Sequence, residues 1–274
     1  MTYKLLKVYT YPNIYTMGLH NESKINYLLQ QWQPGTPAQT AWLRELGYSD
    51  QLINKYKKSN WLIPFGTGAY KRPNDKISYI GALHALQQQT KMTVHPAGPT
   101  ALMMLGKSHY LDLAQKQVFL MGKPQEKLPA WFLKHQWELD FNYTTTSFLP
   151  SGLGMVVQDE TNFSLQVSGA ARAMMECLYL APKYQDLIAC YELMEGLSNL
   201  RPKVVQELLE ACTSVKVKRL FLYMAEKAGH SWFRFLKLHD INLGSGKRSI
   251  VTAGVYLQKY QITVPEKLEE YGRI

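Results

Sequence analysis

Gln51, Asn54, Lys55 and Lys58 fall at i, i+3, i+4 and i+7, the spacing that gathers four side chains on one face of a helix. These residue types suit the reading of a DNA groove. The amides of Gln and Asn pair with adenine edges, and Lys reaches guanine acceptors or phosphates. Lys57 lies beside this face, and no acid stands between Asp50 and Lys58. Leu52, Ile53 and Tyr56 supply the opposite, buried side of the same helix. A solvated lysine-rich face would show the same spacing, so the flanking elements must decide.

Upstream, Ile25, Leu28, Leu29 and Trp32 repeat with a helical period until Pro34-Gly35, which stops a helix. The next segment is expected to begin a second helix. Thr36 would cap it, Pro37 would take the first position and Gln39 would complete a capping box. Ala41, Trp42 and Leu46 would be its apolar side, and Gly47 would end it. Ser49 or Asp50 then starts the third helix. Two short helices joined by a tight glycine turn make a helix-turn-helix.

Trp61–Phe65 reads as a strand, Gly66-Thr67-Gly68 as a turn and Ala69–Arg72 as the returning strand. A hairpin after a recognition helix is a wing, expected to carry Lys71 and Arg72 to the phosphates at its tip. With residues at the two helix starts added, the expected DNA-contacting set is Gln39, Ser49, Gln51, Asn54, Lys55, Lys57, Lys58, Lys71 and Arg72.

The net charge is +10, distributed as +6 over residues 1–90, +2 over 91–150, −4 over 151–200 and +6 over 201–248. Two basic blocks separated by an acidic one point to surfaces that meet an anionic partner. Cys177, Cys190 and Cys212 are widely spaced and odd in number, arguing for buried free thiols over a disulfide framework or a zinc site. The opening lacks the apolar core of a signal peptide, and no run spans a bilayer. A cytoplasmic protein with no membrane contact is expected.

After a helix at 78–89, strands are expected near 118–121 and 141–146. Helices then follow at roughly 169–181, 185–197, 202–212, 214–228 and 231–238. Strands grouped before helices indicate an α+β fold, divided into a DNA-binding part (1–93) and a larger C-terminal part (94–274). The helix from Ser214 would bury Val217, Leu220, Phe221, Met224 and Ala228. It would expose Lys216, Arg219, Tyr223 and Lys227, with Lys218 at the edge. Together with Lys247 and Arg248 in a Gly-rich turn, these cations form a candidate second basic surface, the alternative being a solvated flank. That turn is no P-loop, because Ile241 stands where the first Gly belongs and Arg248 follows the Lys. Neither His-Glu-x-x-His nor Gly-x-Ser-x-Gly occurs, so no catalytic set, metal site or cofactor is expected.

Several segments resemble the AbiEi-type antitoxins of bacterial type IV toxin–antitoxin systems. In the N-terminal part they are Gly47-Tyr48-Ser49, Trp61-Leu62, Gly68-Ala69-Tyr70, Gly81–Gln87 and Gly98–Leu102, followed by Leu105-Gly106 and Ser108–Leu111. Further on they are Leu193–Leu197, Leu200-Arg201-Pro202, Ser214–Leu222, Gly229-His230-x-Trp232 and Leu243–Arg248. The likeness runs from about Lys24 to Pro265 and is most specific at 214–222. Asn60 stands where the family pattern would have Gly before Trp61, and Met1 to Asn21 match nothing in it.

The resemblance implies a winged helix that binds inverted repeats in its own promoter and represses the operon. It also implies a C-terminal domain needed to oppose a nucleotidyltransferase-like toxin, without a stable complex. Two alternatives differ in class: a winged-helix regulator with a ligand- or protein-binding C-terminal domain, and an RNA-processing enzyme.

Overall fold

The computed structural model describes residues 24–107 and 117–271; Ser108–Leu111 of the family pattern and the opening segment lie outside these. The chain divides into two compact units, Met1–Gln33 and Pro34–Ile274. The described part of the first is α1 (Lys24–Gln31), an amphipathic helix in which Leu28 is buried.

The second unit opens with β1 (Ala38–Gln39) and α2 (Thr40–Glu45), which corrects the helix start expected at Thr36. Gln39 is extended, with φ −85° and ψ 142°, and its side chain makes no cap hydrogen bond. Ala38 and Gln39 pair instead with Tyr70 and Ala69. Thr36 precedes Pro37, which disfavours helical dihedrals at that residue, and sheet pairing supplies the backbone partners that a capping box would have offered.

A turn follows in which Gly47 takes φ +84°. The Tyr48 amide donates to the Leu43 carbonyl across that turn. Ser49 then caps α3 (Asp50–Lys58), its hydroxyl accepting from the Leu52 amide. Asn60, at φ 59°, adopts the left-handed conformation that Gly would take with least strain. The chain next enters β2 (Ile63–Gly66) and β3 (Ala69–Lys71). These are antiparallel, and the three-stranded sheet has the order β1-β3-β2.

Ser78 caps α4 (Tyr79–Gln89). Beyond it come β4 (His95–Pro96), α5 (Gly98–Met104), β5 (Gln117–Gly122), α6 (Ala130–Leu133) and β6 (Asp140–Thr145). β5 pairs antiparallel with β4 and parallel with β6, and β7 (Met155–Asp159) forms a hairpin with β8 (Ser164–Ser168). Ala69 of the wing, Leu83 and Leu86 of α4, Val118 and Leu120 of β5, Trp131 and Phe132 of α6, and Leu165 and Val167 of β8 share one core.

A larger core joins α7 (Ala170–Leu180), α8 (Leu187–Glu195), α9 (Pro202–Ala211) and α10 (Val215–Lys227). The chain finishes with β9 (Arg248–Ser249), β10 (Val255–Leu257), β11 (Ile262–Val264) and α11 (Glu266–Glu270). The fold is α+β, and its order of elements follows the sequence pattern, with strands concentrated ahead of the long helices. Cys177, Cys190 and Cys212 are free and buried. Burial raises each thiol, that of Cys190 to about 12, so none is an available nucleophile.

Candidate nucleic-acid interface

α3 presents the face that its period predicts. Ile53 and Tyr56 are buried, while Gln51, Asn54, Lys55 and Lys58 are exposed and Lys57 is half-buried. The buried side is anchored by Tyr48 and Tyr56, whose ring centroids lie 6.4 Å apart. Lys57 reaches over the Tyr70 ring of the wing, 5.9 Å from its centroid, tying α3 to the hairpin. Three of these lysines fall in the last turn of α3, where cations complement the helix dipole.

Sequence reasoning missed Arg44. Its guanidinium grips Asp50 through Nε–Oδ1 at 2.9 Å and Nη2–Oδ2 at 3.1 Å. The pair bridges α2 and the start of α3, and it offsets the one negative side chain on α3. Its signal in the sequence is an Arg and an Asp six residues apart, flanking a glycine turn. An exposed ion pair adds little stability; its relevance here is the sign of the surface.

Gln39 does not belong to this face. It is buried: its amide nitrogen Nε2 donates to the Ala85 carbonyl at 3.2 Å, and its backbone amide donates to Gln89 Oε1 at 2.9 Å. Gln89 in turn donates to the Pro37 carbonyl at 2.8 Å. The two glutamines lock β1 onto α4. Ser49 is exposed and its hydroxyl oxygen serves the helix cap.

The wing carries its cations elsewhere than expected. Lys71 lies opposite Ile63, at the open end of the hairpin, whereas Gly66-Thr67-Gly68 forms the tip. The Lys71 ammonium donates to the Asp75 carbonyl at 3.1 Å. Arg72 is half-buried, and desolvation lowers its pKa. The residues of the tip are exposed, but the strand leading into it packs on α6. Phe65 meets Trp131, His135 and Trp137 with ring centroids 6.0, 4.5 and 6.0 Å apart, and a Cβ on Gly66 would come within 2.7 Å of the Trp131 Cβ.

The second basic surface is also rearranged. Lys218 and Arg219 are buried, and so is Tyr223, which donates its hydroxyl to Glu269 Oε2. Arg219 donates to the carbonyls of Leu243, Gly244, Gly246 and Gln261 at 2.6–3.1 Å. Those bonds hold the Gly-rich turn and the neighbouring strand on α10. Lys216 is half-buried and donates to the Tyr179 and Ala181 carbonyls at 2.9 and 2.6 Å, closing the last turn of α7; burial lowers its pKa. Exposed cations remain at Lys247, which sits 4.8 Å from the Tyr256 ring centroid, and at Arg248. Among the described residues no group of three or more His, Cys, Asp or Glu is placed to hold a metal ion. No helix there is long and apolar enough to cross a membrane.

A helix-turn-helix with an attached hairpin is the architecture of winged-helix transcriptional regulators. Two family descriptions match the chain in series. "Transcriptional regulator, AbiEi antitoxin N-terminal domain" covers residues 21–113, and "Transcriptional regulator, AbiEi antitoxin, Type IV TA system" covers residues 115–265. The chain therefore belongs to the AbiEi antitoxin family of transcriptional regulators of type IV toxin–antitoxin systems. The crystal structure of the RV2827C protein from Mycobacterium tuberculosis is similar in fold, with a TM-score of 0.55 and 13% identity over 89% of this chain and 90% of that one. No curated protein matches the sequence.

Proposed function

We propose that this AbiEi-family regulator represses its own operon by seating α3 in the major groove of promoter inverted repeats. We further propose that its C-terminal part opposes a nucleotidyltransferase-like toxin without holding it in a stable complex. The division of labour would follow the sequence, with DNA reading in residues 1–93 and antitoxicity in 94–274. The observation that carries the DNA reading is the exposed face of α3. Gln51 and Asn54 can pair with base edges there, Lys55 and Lys58 can meet guanine or phosphate, and Arg44 neutralises Asp50.

Ser49 and Lys57 border this face. Lys71 and Arg72 would meet backbone phosphates from the side of the hairpin, and Lys247 and Arg248 would form the accessible part of a second phosphate-contacting surface. No catalytic machinery or cofactor enters this proposal.

The test is binding of the whole protein to its own upstream fragment and to a scrambled fragment over a salt series. Preference for the promoter, with affinity falling steeply as salt rises, is expected of a specific phosphate-anchored repressor. Equal and weak binding to both fragments would overturn the proposal. Co-expression with the adjacent gene product tests the antitoxin half: restored growth supports it, and unrelieved toxicity favours a stand-alone regulator.

A further inference from the structure

A cavity of about 600 Å³ opens between the end of α4, the β4-β5-β6 sheet, the β7–β8 hairpin and α7. The charges on its wall are one-sided. Lys91, Lys123 and Arg172 line it, and no Asp or Glu does. The two acids that hydrogen-bond to its lining residues are already committed. Glu126 accepts from the Thr93 amide and hydroxyl at 2.9 Å each. Glu176 is fully buried and accepts from Ser168, Arg172 and the Gly98 amide at 2.8–2.9 Å, with His95 Nε2 at 3.3 Å.

Arg172 is the built element. Its residue is 5% exposed. Nε is fixed by Glu176, and Nη1 donates to the Pro150 and Leu153 carbonyls at 2.7 Å each. Nη2 has no partner among the described residues, and Arg172 is one of the residues that line the cavity. A buried, immobilised guanidinium with one unused N–H₂ is an anchor for an anion. Burial alone would raise the Glu176 carboxyl, but His95, Arg172 and the Gly98 amide outweigh it and hold the group ionised, so the anchor keeps its orientation.

The rest of the wall defines the other end of a ligand. Met92, Met121, Phe148 and Met155 offer soft apolar surface, and Phe148 is backed by the Tyr179 ring, stacked at 4.4 Å. Ser147 and Ser151 add hydroxyls, and Lys91 and Lys123 stand exposed at the rim, the Lys123 ammonium 3.9 Å from Glu126 Oε1. A pocket of this volume, lined by apolar and polar groups together, is of the size that small molecules occupy.

We infer that this cavity is a binding site for a small organic anion, an apolar body bearing a phosphate or carboxylate group that Arg172 anchors and Lys91 and Lys123 enclose. The inference does not depend on what α3 binds.

The full chain, labelled with ¹³C at its methionine methyls, is titrated separately with phenyl phosphate, benzoate and phenol at constant ionic strength. Met92, Met121 and Met155 report directly from the wall. The expected result is saturable shifts of those three methyls with at least one of the two anions, at a Kd below about 1 mM, and none with phenol. The anion that binds more tightly identifies the head group. Replacing both rim lysines, Lys91→Ala with Lys123→Ala, is expected to weaken binding about fivefold or more while the spectrum of the free protein stays folded. The inference is overturned if neither anion shifts those methyls, if phenol matches them, or if the double variant binds as tightly as the parent.

Discussion

Replacing Arg219 with Met separates a structural cation from a ligand-binding one. The stem of the side chain is retained and every donor is lost. In the structure four carbonyls, those of Leu243, Gly244, Gly246 and Gln261, lose an ionic hydrogen-bond partner. Each such bond contributes about 1 kcal/mol net, and more to a charged donor. Two of the four carbonyls sit in the exposed Gly244–Gly246 turn, where water replaces the lost donor. The Gln261 carbonyl keeps the Arg248 amide, and the variant is spared the cost of desolvating a charge.

The sum comes to about 2–3 kcal/mol of lost stability. For a protein of this size that lowers Tm by roughly 4–6 °C. The assay is thermal and urea unfolding of the full chain, followed by proteolysis of the turn at 243–248, which should become rapid. Lys247→Ala, at an exposed neighbour, should stay within about 0.5 kcal/mol. An Arg219→Met protein as stable as the parent but weakened on nucleic acid would refute the structural role and return this guanidinium to the binding surface.

Three other outcomes are expected. Asn54→Ala should cost about 1–3 kcal/mol of promoter affinity and relax preference at one base position, whereas Lys58→Ala should weaken all sequences alike and lower the salt slope by about one; unchanged sequence preference of Asn54→Ala in a fragment library would show that α3 is docked differently. Gln39→Ala should lose about 1–3 kcal/mol of stability through the orphaned Ala85 carbonyl and Thr90 hydroxyl without changing promoter sequence preference, and a stable variant with altered preference would contradict its burial.

The third concerns pH. Burial depresses the His84 pKa below its ordinary 6.5, against the bond to the Ser164 carbonyl, which raises it. The unfolded chain therefore binds this proton more readily than the fold does. Stability from His84 is present above about pH 6.5 and is lost as pH falls below it. Urea midpoints at pH 7.5 and 5.5 should drop for the parent more than for His84→Gln, and parallel slopes would remove the assignment.

Local periodicity made α3 readable, because a solvent face and a buried face were both encoded within nine residues. The left-handed turn at Asn60 was signalled only through the family pattern, which would have Gly there. α10 shows the limit. Its apolar stripe was recognised, but Arg219 falls on the side that a free helix would give to solvent. What buries it is a turn some twenty-five residues later, and no local pattern announces that closure. Gln39 failed for the same cause, because a capping box and a strand end share the same residues until Ala69 and Tyr70 arrive to pair. Lys71 was misplaced along the hairpin, since register depends on which residue faces Ile63.

The core that joins Ala69, Leu83 and Leu86 to Trp131, Phe132 and Val167 bears on how such regulators diversify. A hairpin seated on α6 cannot be exchanged as a free cassette: grafting residues 34–93 alone onto another body would strip Phe65 and Gly66 of the surface that shapes them. If α3 reads DNA as proposed, altered operator choice can therefore accumulate cheaply on its outer face. Wholesale replacement of the reading head would require α6 and β5 to change with it, so substitution is an easier route to new specificity than recombination.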